Sequence, residues 1–155
     1  MSVASHRLSS PLKLGIAVLI TAGIVAQVVR IDTVNPPVTA DFPAPAPIGA
    51  LLRRACYDCH SNQTVWPWYS RVAPVSWLLA HDVRGARHAV NFSTWTAYPP
   101  KRQRHKLDES AEEVATRDMP PWYYLLLHPE AQLTAAEREA LRAWLRGASP
   151  PGNGG

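Results

Sequence analysis

Cys56-Tyr57-Asp58-Cys59-His60 sets two thiols and an imidazole in one short run, and these are the chain's only 2 cysteines. Thiols at C-x-x-C spacing can add across the two vinyl groups of a haem. The histidine that follows is then placed to ligate the iron from one face. Two other chemistries use such a pair. Zinc needs two further ligands at a matching spacing, and the sequence offers no second C-x-x-C and no H-x-x-x-H partner. A redox-active dithiol belongs in a strand–turn–helix setting inside a βαβ pattern, which these flanks do not suggest. The motif therefore predicts one covalent haem c, with Cys56 and Cys59 as attachment points and His60 as the proximal iron ligand.

The other side of the iron has several candidates. Of the 2 methionines, Met1 is the initiator and Met119 stands before Pro120, Pro121 and Trp122. Two prolines stiffen that loop, which suits a weak thioether donor that must be held in place. The sequence reading takes Met119 as the distal ligand, against the ordinary role of a methionine as a gap-filler in a core. His128 is the alternative distal ligand, giving a bis-His site, and an open iron is a third possibility. His81 and His88 share a helical face with Arg84, opposite Val75, Leu78 and Leu79, so they are expected in solvent. His105 lies in the basic run Lys101 to Lys106, expected to be a solvated segment. Trp66, Trp68, Tyr69, Trp77, Trp122, Tyr123 and Tyr124 are expected mostly as core packing, with a haem-pocket wall as the other reading.

Covalent haem attachment occurs outside the cytoplasm, so the chain should carry an export signal. His6, Arg7 and Lys13 precede an apolar stretch from Leu14 to Val29, interrupted only by Thr21 and Gln27. Residues 12–31 would span roughly 30 Å as a helix at about 1.5 Å per residue, enough for a bilayer core. The expectation is an uncleaved single-pass anchor in the bacterial inner membrane, with residues 1–11 in the cytoplasm and the haem domain on the periplasmic side. A cleaved signal is the alternative, with Val38-Thr39-Ala40 as its best, poorly placed site. An exported chain meets no nucleic acid in normal function, so the net charge of +4 does not point to it.

Around these residues the chain reads as mostly α: a small helical domain wrapped around its haem, preceded by one transmembrane helix. No period-2 run of β-branched residues appears, and 15 prolines against 8 glycines favour short helices and long loops. Residues 32–47, with Pro36, Pro37, Pro43, Pro45 and Pro47, are expected to form a Pro-rich, semi-rigid linker. The domain itself is placed at 48–147. Helices are expected from about Ile48 to Ala55, from Pro74 towards His88, from Asp108 to Arg117, and from the Thr134-x-x-Glu137 capping box to Gly147. An irregular stretch should run through Tyr98, Pro99 and Pro100, and 148–155 should be a disordered tail.

Several motifs in order carry a resemblance. Cys56-Tyr-Asp-Cys-His-Ser-Asn-Gln-Thr-Val-Trp-Pro-Trp-Tyr69, Ala73-Pro-Val-Ser-Trp77, Asn91-Phe-Ser-Thr-Trp95, Met119-Pro-Pro-Trp-Tyr123 and His128-Pro-Glu-Ala131 together resemble the bacterial haem-binding domain family. The resemblance runs from about Leu51 to Trp144. It implies a c-type, cytochrome-like domain of a kind found in small exported or membrane-anchored proteins. Such domains are sometimes joined to further cytochrome or di-haem peroxidase modules, none of which is visible in this sequence. The resemblance implies no particular reaction. The expected function is one-electron transfer through a His/Met-ligated haem to a redox partner protein in the envelope, as a carrier more than an enzyme. The basic run is a candidate for steering that partner. The alternative is a haem-based ligand, gas or redox sensor.

Overall fold

The structure is a computed structural model and describes residues 10–148. The expected tail, except for Ala148, and residues 1–9 of the expected cytoplasmic segment lie outside it. Among the described residues the secondary structure is helical, and the sole strand-like feature is an isolated parallel bridge between Ala40 and Thr94. The chain divides into two compact units. One comprises the N-terminal segment to Thr33 together with Pro67–Ala80, and the other comprises Val34–Trp66 with the remainder from His81.

The first unit corrects the expected transmembrane helix over 12–31. Helix α1 covers Ser10–Ala26, 17 residues, or about 25 Å at 1.5 Å per residue. Among the described residues no helix is long and apolar enough to cross a membrane. The helix stops where its bonding changes. Gln27, Val28 and Val29 donate to the carbonyls three residues back, at 3.0–3.2 Å, the tightened pattern of a helix end. The Gln27 side-chain amide then pairs with Ala73, donating to its carbonyl at 3.1 Å and accepting from its N–H at 3.0 Å. Trp77 Nε1 donates to Val29 O at 3.0 Å. The polar residue that interrupts the apolar stretch thus ends the helix and fastens it to the Ala73 loop.

The second unit holds the core. Phe42, Ile48, Leu52, Tyr57, Phe92, Trp95, Leu107, Val114, Leu133, Leu141 and Leu145 are buried together. Phe42 meets Trp95 edge-on at 4.5 Å and Phe92 at 5.2 Å, and Tyr57 stacks on Phe92 at 5.5 Å. This corrects the aromatic expectation: Trp68 is 79 % exposed and Trp122 73 %, whereas Trp95 is fully buried.

Phe42 also corrects the linker. The Pro-rich segment is no free stalk, because backbone that cannot coil into a helix lies down on the domain as a strap. Ala40 O accepts from Trp95 N at 3.2 Å, Thr39 N donates to Ser93 O at 3.0 Å, and Asn62 Nδ2 donates to Pro37 O at 2.8 Å. The buried Phe42 ring pins its end.

Helix α2 (Ala46–Ala55) carries Leu52 inward and ends at Cys56, followed by the single turn α3 (Tyr57–His60) and then by α4 (Val75–Ala89). Within α4 the expected apolar stripe is not the buried one. Val75 and Leu78 are exposed and Val83 is buried. Helix α5 (Pro100–Thr116) begins eight residues before the expected Asp108. Pro100 supplies its first helical φ, and the buried Gln103 amide donates to Trp95 O and Tyr98 O at 3.2 and 2.9 Å. A polar residue facing inward hides the start of the helix from an apolar-periodicity reading.

After the one-turn helix α6 (Trp122–Leu125), α7 (Ala135–Gly147) packs along α5. Its capping box is formed as expected, with Thr134 Oγ1 accepting from Glu137 N at 3.2 Å and Thr134 N donating to the Glu137 carboxylate at 2.8 Å. Two arginines cap the pair reciprocally. Arg104, near the start of α5, donates to Leu145 O and Ala148 O at the end of α7, at 2.8 and 2.6 Å. Arg138, near the start of α7, donates to Val114 O at the end of α5, at 2.7 Å. Each guanidinium satisfies helix-end carbonyls that have no partner within their own helix.

Candidate functional site

The Cys56 carbonyl accepts from Cys59 N at 3.2 Å and from His60 N at 2.9 Å. This winds the five residues into one helical turn, and residues three and four apart on a turn share a face. Both thiols are free and partly buried. Burial pushes the Cys56 thiol up to about 12, with Cys59 adding to the effect. The Cys59 thiol is pushed up to about 11, again chiefly by burial and then by Asp58 and Asp82. Redox-active dithiols have lowered values, so these neutral thiols argue against that chemistry. Among the described residues no group of three or more His, Cys, Asp or Glu side chains is arranged to hold a metal ion.

His60 is oriented by the end of α4. Its Nδ1 lies 3.0 Å from Ala86 O and 3.2 Å from Val90 O. Carbonyls only accept, so Nδ1 carries the proton and Nε2 keeps its lone pair. Burial lowers the imidazole's affinity for a second proton, outweighing the effect of the two carbonyls. The His60 carbonyl in turn accepts from Phe92 N at 2.8 Å. The turn after the motif is tied down by Arg87, which donates to Ser61 O, Asn35 Oδ1 and Thr64 Oγ1 at 2.8–2.9 Å.

Met119 sits in a backbone held from two sides. Glu113 O accepts from Asp118 N and Met119 N at 3.1 and 3.2 Å, across the left-handed Arg117 (φ 69°) that ends α5. The Met119 carbonyl accepts from Arg138 at 3.2 Å. The side chain is partly exposed, not sealed in the core. His128 has a different setting. Its ring stacks on Tyr124 at 4.1 Å, and its Nδ1 pairs with Glu130 Oε1 at 3.0 Å. The segment from Met119 to His128 is joined to the cysteine turn through Tyr124, whose hydroxyl donates to Asp58 Oδ2 at 2.9 Å. Tyr123 donates to Asp82 of α4 at 3.2 Å. His81 and His88 are exposed as expected, and His105 pairs with Glu109 at 3.2 Å.

The basic run departs from its expected solvated form. It makes the first turns of α5, where Arg104 caps α7, Arg102 lies over the Tyr98 ring, and Lys106 is buried. Sequence reasoning assigned no role to Asp58 or Arg87, although Asp58 stands inside the motif itself.

A family model described as a haem-binding domain matches residues 20–147. The chain belongs to the haem-binding domain family. The match reaches well upstream of Leu51, where the sequence resemblance began. No curated protein matches the chain, and no solved structure does. The donors of this haem-binding domain suit its cofactor: two neutral thiols and a neutral imidazole with Nε2 uncommitted to any carbonyl, all on one turn.

Proposed function

We propose that this haem-binding domain holds a single c-type haem and carries one electron at a time between partner proteins of the bacterial envelope. When bound, the haem supplies a one-electron Fe(III)/Fe(II) couple. In this reading Cys56 and Cys59 would hold the ring as thioethers and His60 Nε2 would bind the iron. The observation that carries it is the bifurcated hydrogen bond that His60 Nδ1 donates to Ala86 O and Val90 O, which fixes ring orientation and tautomer together.

Met119 is proposed as the second axial ligand. Its backbone is anchored by Glu113 and Arg138 on a loop that Pro120 and Pro121 stiffen. A thioether ligand beside histidine would favour the ferrous state and suit transfer to an oxidising acceptor. Export is part of the proposal, because thioether attachment takes place outside the cytoplasm. The exposed, all-round apolar α1 supports a role for this segment in export or membrane attachment.

The test is haem retention in a denaturing gel. Haem should migrate with the wild-type polypeptide and be lost from the Cys56→Ala, Cys59→Ala double variant. A redox titration of the holoprotein should fit a one-electron curve. Haem that extracts into acidified organic solvent from the wild type would refute covalent attachment. Ready binding of carbon monoxide by the reduced protein would favour the sensor reading.

A further inference from the structure

Lys106 is 6 % exposed, in a run expected to be solvated. Its ammonium donates to Ala89 O, the last residue of α4, and lies 5.2 Å from the centre of the Tyr98 ring. The same helix end supplies Ala86 O and Val90 O to His60 Nδ1, at 3.0 and 3.2 Å. The carbonyls that finish α4 are therefore divided between an imidazole and a cation. A helix C-terminus carries partial negative charge. Left uncompensated, it would draw the Nδ1 proton and enrich Nε2 in electron density, which favours the higher charge on a metal bound there. A fixed cation at that end opposes this effect. Arg102 and Glu109 on α5 also face Lys106, the first lowering its proton affinity and the second raising it, with burial the larger cause of a net lowering. Burying an ammonium is unfavourable unless it is well paired, so a lysine here calls for more explanation than an exposed one.

We propose that Lys106 is a positioning residue acting through His60, its charge at the carbonyl end of α4 raising the potential at which the bound haem accepts an electron. The proposal rests on the reading of His60 as an iron ligand. A purely structural lysine would cap α4 and do no more. The two roles separate in Lys106→Gln, which keeps a donor for Ala89 O and removes the charge, and in Lys106→Arg, which keeps the charge.

The haem-loaded full chain and both variants are titrated against a mediator-poised electrode at neutral pH, the ferric haem taking one electron from the electrode. At the wild-type midpoint the ferrous-to-ferric ratio of Lys106→Gln should fall about threefold or more, the scale of one partly screened charge. Lys106→Arg should stay close to wild type, and the absorption spectra of all three should coincide. If the glutamine variant does not retain haem, Lys106→Met takes its place. An uncharged variant with a wild-type midpoint and an unaltered spectrum overturns the proposal. A wild-type protein without covalent haem, or a His60→Ala variant with an unchanged iron spectrum, would instead defeat the reading beneath it.

Discussion

The hydroxyl of Tyr124 donates to Asp58 Oδ2 at 2.9 Å, joining the segment that carries Met119 and His128 to the middle of the C-x-x-C-H turn. The other Asp58 oxygen accepts from Val65 N at 3.0 Å. One carboxylate thus holds together the cysteine turn, the loop after it and α6. Hydrogen bonds to charged groups contribute about 1.5–3 kcal/mol. Tyr124→Phe should lower unfolding stability by about that amount in a denaturant titration of the holoprotein. The phenyl ring keeps the stack on His128, so an unchanged midpoint would mean that the hydroxyl contributes nothing.

Met119→Ala should remove the near-infrared sulfur-to-iron charge-transfer band and lower the midpoint potential, and His128→Ala should leave the iron spectrum nearly unchanged. Met119→His should give a lower-potential, bis-His spectrum. The reverse pattern, with His128→Ala altering the iron and Met119→Ala silent, would make His128 the ligand.

Arg138 donates to Val114 O at 2.7 Å and Met119 O at 3.2 Å. Arg138→Met leaves both carbonyls without this donor and should destabilise the domain by about 2 kcal/mol. If Met119 is an axial ligand, the same change should weaken its charge-transfer band. Loss of stability with an unperturbed band would confine Arg138 to helix capping.

Arg117 has φ 69° at the end of α5, a conformation that glycine adopts without steric penalty. Arg117→Gly should therefore raise stability by about 0.5–1 kcal/mol in thermal unfolding. A destabilised variant would show that the arginine side chain makes a contact worth more than the backbone relief.

Much of the chemistry was legible because it is local. The C-x-x-C-H spacing holds three donors in one turn whatever surrounds them, and a capping box such as Thr134–Glu137 needs only its own four residues. Helices α2, α4 and α7 were readable for the same reason. Tertiary structure decided what depends on distant partners. Apolar composition could not show that α1 stops at Ala26, since the bond that holds Gln27 comes from Ala73. Proline content marked 32–47 as non-helical, but only the pocket around Trp95 and Phe92 makes Phe42 a core residue and the segment a strap. The charge run at Lys101–Lys106 reads as solvent-facing until the end of α4 offers Lys106 its carbonyl and Gln103 finds two more. Residue types and spacing along the chain determined which donors share the cysteine turn. Carbonyls at the end of α4, 26 and 30 residues away in sequence, decided which nitrogen of His60 keeps its lone pair, and Ala89 O, 17 residues from Lys106, decided which charge stands behind that end.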